Sequence, residues 1–400
     1  MLKDAGPRMK YVRELEGLRG LMALWVILGH WATTVALPYG FLHTKLYNTY
    51  AVDVFIILSG FAITALLDKR PEAYRLYITR RLLRIFPVYL FFLCLSVLLA
   101  HLALETWQNS PAAFMKERRI EIAQSSIDYF TAHVMAHVTA LHGLVPPRWL
   151  PDTDFAFLSQ AWSISLEWQF YLIAPFLIAW LRQPLTMRRG VTAILVAVGL
   201  TLLATVMPAG FIGAGLYEFV IGIGSFYFLK ARFRGASWAR AVPLGQVWVA
   251  VIVFCVFMAS AQVIPYVVWI TVMVAVVAKR EECPPAASSS RRPGPGTWLA
   301  GVLCSRLAQW FGQMAYSLYL SHMLVIVLAL RLLELLAVRE PHAHALALFV
   351  IVMPATVLVS WLAYRLIEKP FHEWGRSLGD VSGKVPSGTF HVPDKGNRMA

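Results

Sequence analysis

The sequence predicts an all-α polytopic membrane protein of about ten transmembrane helices with both termini in the cytoplasm, and three observations carry that prediction. The first is composition: 400 residues that are 58% hydrophobic and 14% charged, with mean hydropathy +0.61, hold more apolar surface than one soluble core can hide. The second is a series of apolar runs near 17–37, 50–67, 86–104, 157–181, 190–207, 209–229, 243–260, 262–278, 309–330 and 345–366. Each approaches the roughly 20 residues that a helix needs to cross a hydrocarbon core about 30 Å thick. The third is charge placement. With the N-terminus inside and the spans alternating, 28 Lys and Arg fall on cytoplasmic segments and 7 on outer ones, Arg19 lying within the first span. The net charge of +14 therefore reports topology. A nucleic-acid partner is not expected, because the basic residues gather on no single soluble face.

The first run carries Arg19 and His30 and leads directly into another span, so it does not read as a cleavable signal peptide. Residues 105–156 form the largest outer segment, and KREECPPAASSSRRPGPGT (279–297) reads as a flexible cytoplasmic loop. One membrane-embedded domain is expected over 1–376, followed by a disordered cytoplasmic tail at 377–400. Cys94 and Cys255 fall in spans and Cys283 and Cys304 on the cytoplasmic side, so no disulfide is expected to staple an outer loop.

An ionisable side chain inside a span costs several kcal/mol on insertion scales, which makes each one either a paired structural group or a functional one. Arg19, His30, Asp53, Glu167, Glu218 and His322 occupy such positions. Arg19 and His30 are 11 residues apart, so they share a helix face about 16 Å apart, with Arg19 near the cytoplasm and His30 about 20 Å deep. Estimated the same way, His322 reaches a depth like that of His30, Asp53 lies near the outer boundary and Glu167 near mid-membrane. Both histidines and both carboxylates are thus expected to converge in the outer half of the bilayer. A neutral imidazole there can take the proton of an attacking hydroxyl, and a carboxylate on its other nitrogen would fix the tautomer. The structural alternative is that these groups form buried ion pairs that hold helices together, the reading favoured for Glu218.

Arg80, Arg81 and Arg84 in ITRRLLRIFPVYL precede the third run. They either anchor the span by the positive-inside rule or bind the phosphates of a nucleotide-bearing donor, which guanidinium forks contact bidentately. No Gly-rich phosphate loop is present, so a nucleotide motor is not expected. In the outer segment, TAHVMAHVTALHG places His133 and His137 one helical turn apart with His142 close behind, yet without HExxH or an acidic third ligand. A half-embedded amphipathic helix is the expectation there, and no metal site.

Six segments taken together resemble the motifs of the acyltransferase-3 family of bacterial membrane enzymes. EGLRGLMALWVILGHW is similar to its opening Arg, ten residues, His signature, and YAVDVFIILSGFAIT to its Asp motif ending in Ser-Gly-Phe. RRLLRIFPVYL resembles its basic motif, and AWSISLEWQFYLIAP its fourth, carrying Trp162, Ser163, Glu167, Phe170, Tyr171 and Pro175. AYSLYLSHMLVI and LIEKPFHEWGR resemble the two closing motifs. Departures are Ala51, where many members have Gly, and Ser321, where an aromatic often precedes the His; neither removes a chemical group.

The resemblance implies a ten-span bundle in a bacterial inner membrane that transfers an acyl group, acetyl by family default, from cytoplasmic acyl-CoA to a hydroxyl of an exported polysaccharide, glycolipid or oligosaccharide. It implies that His30, Asp53, Glu167 and His322 carry the chemistry and that Arg19, Arg80, Arg81 and Arg84 hold the donor. Acyl-CoA is a co-substrate, with no permanently bound cofactor. The bilayer, a carbohydrate or glycolipid acceptor and polysaccharide-biosynthesis machinery are the implied partners. The rival readings are a proton-coupled transporter, since buried His and carboxylates also relay protons, and a non-catalytic subunit of an export complex.

Overall fold

The computed structural model describes residues 12–35, 47–69, 72–111, 113–258, 261–282 and 294–378. The tail from 379, Lys45, Cys283 and most of the 279–297 loop lie outside the described residues. The described chain is helical, with no strand. In order run α1 (Arg13–Thr34), α2 (Thr49–Lys69), α3 (Tyr74–Leu98), α4 (Ala100–Asn109), α5 (Lys116–Asp128), α6 (Phe130–Val138), α7 (Trp162–Leu181) and α8 (Met187–Ala204). Then follow α9 (Leu216–Phe233), α10 (Leu244–Met258), α11 (Ile264–Glu282), α12 (Pro295–Leu303), α13 (Arg306–Gln313), α14 (Ala315–Leu335), α15 (Pro341–Ala363), a π-helical turn (Tyr364–Glu368) and α16 (Lys369–Ser377).

Among the described residues, 7 helical segments are long and apolar enough to cross a membrane, built on α2, α3, α7, α8, α9, α14 and α15. The remaining predicted spans are helices as well: α1 of 22 residues, α10 of 15 and α11 of 19. Two predicted boundaries are corrected. The third span is a 25-residue helix that starts at Tyr74 instead of 86, which puts Arg80, Arg81 and Arg84 inside it. Hydropathy misses this because the guanidinium groups dilute an otherwise apolar turn. The ninth predicted span breaks at Met314 into α13 and α14.

Ion pairs show how the helix ends share a face. At the C-terminal ends of α2, α7 and α9, Asp68 pairs with Lys230 at 2.6 Å and with Arg182 at 3.7 Å. Glu14, at the start of α1, meets Lys279, near the end of α11, at 2.8 Å. Arg80, early in α3, reaches the carbonyls of Gly375 and Arg376 beyond α15. Each contact joins ends that alternating spans place on one side of the membrane.

Between lipid-embedded helices there is little hydrophobic drive, so close packing of small residues does the work. Gly222 of α9 lies against α2 so tightly that a Cβ there would sit 2.1 Å from the Ile57 carbonyl oxygen, and one on Gly60 would sit 2.6 Å from that of Phe219. Gly312 of α13 meets α1 in the same manner, 2.1 Å from the Glu16 carbonyl oxygen. The rings of Phe170 and Phe219 stack at 4.0 Å beside the first contact. These approaches draw α1, α2, α7 and α14 around one polar interior, while α8 has no buried residue and lies at the periphery.

Candidate active site

At the inner end of this interior, α1 contributes Arg19 and α3 contributes Arg81 and Arg84. Neither Arg19 nor Arg84 makes a hydrogen bond or ion pair among the described residues. Arg84 feels the charges of Glu167, Glu16 and Glu368, and Arg19 lies in electrostatic reach of Glu368. Arg81 is buried, with its guanidinium 6.0 Å from the Tyr171 ring and its Nε without a partner. Arg80 is different. Its Nη1 donates to Glu72 at 2.5 Å and its Nε and Nη2 to the carbonyls of Gly375 and Arg376 at 3.1 and 3.4 Å, so it clamps α16 against α3. One residue along a helix is about 100° of rotation, which turns Arg81 away from Arg80, while Arg84 lies only about 40° from Arg80 but one turn, about 6 Å, further along the helix.

Deeper in, Glu167 accepts hydrogen bonds from Ser59 at 2.5 Å and from the Tyr171 hydroxyl. Tyr319 of α14 comes next: its hydroxyl donates to the Gln160 carbonyl at 2.8 Å and lies 2.7 Å from Ser163 Oγ. Its ring is 5.9 Å from that of His322, which is 4.9 Å from that of His30. Glu167 lies in electrostatic reach of Tyr319, so a polar path runs from the arginines to the paired imidazoles.

The two histidines meet as the sequence predicts. Asn48 closes the pair, its side-chain amide 3.0 Å from His30 Nε2; an amide NH donating there leaves the imidazole proton on Nδ1. Among the described residues, His30 Nδ1 and both ring nitrogens of His322 are buried without a well-formed hydrogen bond, the Leu318 and Tyr319 carbonyls lying near His322. The carboxylates do not join them. Asp53 lies with Glu218 of α9 and Tyr266 of α11, whose hydroxyl donates to Glu218 at 2.8 Å, and neither Asp53 nor Glu167 bonds an imidazole among the described residues. The reason is rotation: Asp53 and Ser59 are six residues apart on α2, about 240° of turn, so Asp53 faces α9 while Ser59 faces α7.

Sequence reasoning missed Asn48, Tyr319 and Glu368 as site residues. Glu368 accepts a hydrogen bond from Ser317 at 2.6 Å and ends the π-helical turn, a rare element enriched at functional sites. It stood just past the last predicted span, where a charged residue raises no alarm. In the outer segment, His133, His137 and His142 are buried, with the His137 and His142 rings stacked at 4.1 Å, while Met135 and Val138 of α6 face outward. Among the described residues, no group of three His, Cys, Asp or Glu side chains is arranged to hold a metal ion.

A membrane bundle with cations at one end and paired imidazoles inside defines a class that can bring a charged donor to a buried acid–base centre. The sequence matches the acyltransferase-domain family, acyltransferase 3, over residues 12–365, and the chain belongs to that family. It is 23% identical over 404 residues to the peptidoglycan O-acetyltransferase OatA of Listeria monocytogenes, covering 92% of this chain and 56% of that protein. It is also 27% identical over 184 residues to the O-acetyltransferase OatA of Staphylococcus aureus, covering 43% of this chain and 25% of that protein. The chain thus spans little more than half the length of the first relative. No solved structure matches.

Proposed function

We propose that this chain is an acyl-CoA-dependent O-acetyltransferase that modifies a carbohydrate hydroxyl at the outer face of a bacterial inner membrane. In this reading it forms ten spans with both termini in the cytoplasm. The single observation that carries it is the polar path from Arg19 and Arg84, which make no hydrogen bond or ion pair among the described residues, through Glu167 and Tyr319 to the His30–His322 pair. The names of the relatives support an acetyl group and a cell-envelope glycan.

Arg19, Arg81 and Arg84 would bind the donor's phosphates by charge-assisted hydrogen bonds and leave its thioester pointing inward. Once Asn48 gives up its hydrogen bond to Nε2, that unprotonated nitrogen of His30 takes the acceptor hydroxyl's proton as the hydroxyl oxygen bonds to the thioester carbonyl carbon. Collapse of the tetrahedral intermediate breaks the carbon–sulfur bond, and the imidazolium returns the proton to the CoA thiolate. The other route open to the same nitrogen is direct attack, giving an acyl-imidazole that the acceptor then resolves; a burst of free CoA in rapid-quench kinetics identifies it. Asp53 and Glu218 would tune the site from the neighbouring helix without touching the imidazoles.

The test is detergent-purified protein incubated with labelled acetyl-CoA and peptidoglycan fragments. Acetyl-ester formation that disappears in His30→Gln while CoA binding persists is expected, because glutamine can hydrogen-bond but cannot cycle a proton. Transfer by His30→Gln at the wild-type rate would sink the role given to His30. Absence of transfer by the wild-type protein, together with proton-coupled solute uptake in vesicles, would favour the transporter instead.

A further inference from the structure

We infer that Arg119 is a positioning residue for the His30 chemistry, acting from the outer segment through Thr33 and Thr34. The inference rests on the function proposed above. Arg119 belongs to α5, is only 9% exposed, and meets no carboxylate within ion-pair distance among the described residues. A desolvated charge normally has a counterion, so a buried guanidinium without one calls for an explanation.

Its two outer nitrogens supply it. Nη1 donates to Thr34 Oγ1 at 2.6 Å and Nη2 to Thr33 Oγ1 at 2.9 Å. Each hydroxyl passes its own proton onward to the same acceptor, the backbone carbonyl of His30, at 2.6 Å from Thr34 and 3.1 Å from Thr33. The guanidinium fork, two hydroxyls and one carbonyl form a closed relay that ends on the residue whose imidazole meets His322 and Asn48.

The location suits a cation. The C-terminal turn of α1 carries the negative end of the helix dipole, so a guanidinium there is stabilised without a carboxylate. The Trp107 ring, 4.6 Å from the Arg119 guanidinium carbon, covers its other face. Arg119, Trp107 and Ser126 also line a cavity of about 80 Å³ together with Met323 and Val327 of the His322 helix. Lysine would keep the charge but would offer one nitrogen in place of the planar fork whose two nitrogens each reach a hydroxyl. A displacement of the His30 backbone by a fraction of an ångström would misalign the imidazole with the reacting atoms, where rate is most sensitive to geometry.

The experiment measures acetyl transfer to peptidoglycan fragments, CoA binding and thermal stability on one detergent preparation each of wild type, Arg119→Gln, the double variant Thr33→Val with Thr34→Val, their combination, and His30→Gln. A positioning role predicts at least a tenfold lower kcat for Arg119→Gln, with the Kd for CoA within twofold and Tm within a few degrees of wild type. It also predicts that the combined variant is no slower than Arg119→Gln, because both changes cut the same relay. Should Arg119→Gln fail to fold, the threonine variant interrupts the relay from its other end and carries the same expectation. Wild-type kcat in Arg119→Gln, or a rate that falls only in step with Tm, or additive losses in the combined variant, would overturn the inference. Loss of transfer in His30→Gln alongside an unaffected Arg119→Gln removes only Arg119; undiminished transfer by His30→Gln removes the reading beneath it.

Discussion

The arginines of α3 differ in their contacts. Arg84 is partly buried and makes no hydrogen bond or ion pair among the described residues, whereas Arg80 donates through Nε and both Nη atoms to Glu72 and the α16 backbone. Arg84→Ala should weaken CoA binding by about 1.5–3 kcal/mol, the worth of a charged hydrogen bond, with Tm nearly unchanged. Arg80→Ala should lower Tm and leave CoA affinity within twofold. Isothermal titration and thermal unfolding of the two purified variants read this contrast directly, and equal losses of affinity would return Arg80 to the donor site. Burial pushes His137 down to about 4, against the pull of its hydrogen bond to the His133 carbonyl and with the help of the His133 imidazole. The unfolded chain, with an ordinary value of 6.5, binds more protons between those limits. Stability from this residue is therefore complete above about pH 6.5 and declines as pH falls toward 4. Tm measured from pH 7.5 to 4.5 should drop less steeply for His137→Gln than for wild type.

At the scale of helices, glycine contacts let α9 lie directly against α2. A Cβ on Gly222 would lie 2.1 Å from the backbone oxygen of Ile57, and a backbone atom cannot swing aside as the end of a side chain can. Gly222→Ala must push α9 away from α2, disturbing Asp53 and Glu218 together. A destabilisation on the order of 2–4 kcal/mol is expected, seen as a Tm drop in detergent and loss of activity. Gly224, on the same helix with open space around it, is the control, and Gly224→Ala should be near neutral. Similar Tm values for the two variants would contradict the packing argument.

For the molecule as a whole, the shared helix ends and the charge asymmetry point to one topology. Reporter fusions after Lys69, after Arg189 and within 281–297 should read cytoplasm, and those near Lys45 and within 105–150 should read the outer side. One reversed loop among these would break the alternation and, with it, the cytoplasmic placement proposed for the donor site. Ion pairs such as Asp68 with Lys230 and Glu14 with Lys279 join helix ends on a common face, and the positive-inside bias then decides which face it is.

The sequence alone determined the helical membrane class, because hydropathy is a local quantity, and the 11-residue spacing of Arg19 and His30 sets their common face on one helix for the same reason. It also brought His30 and His322 to one depth, since rise along a helix is fixed. Tertiary structure alone decided which groups touch. Depth places a residue along the membrane normal but leaves its azimuth and its helix neighbours open, and the carboxylates turned on those two coordinates: Asp53 toward Glu218, Glu167 toward Ser59 and Tyr171. The same holds for Asn48 and Arg119, whose segments look like connecting loops until packing sets them on the last turn of α1.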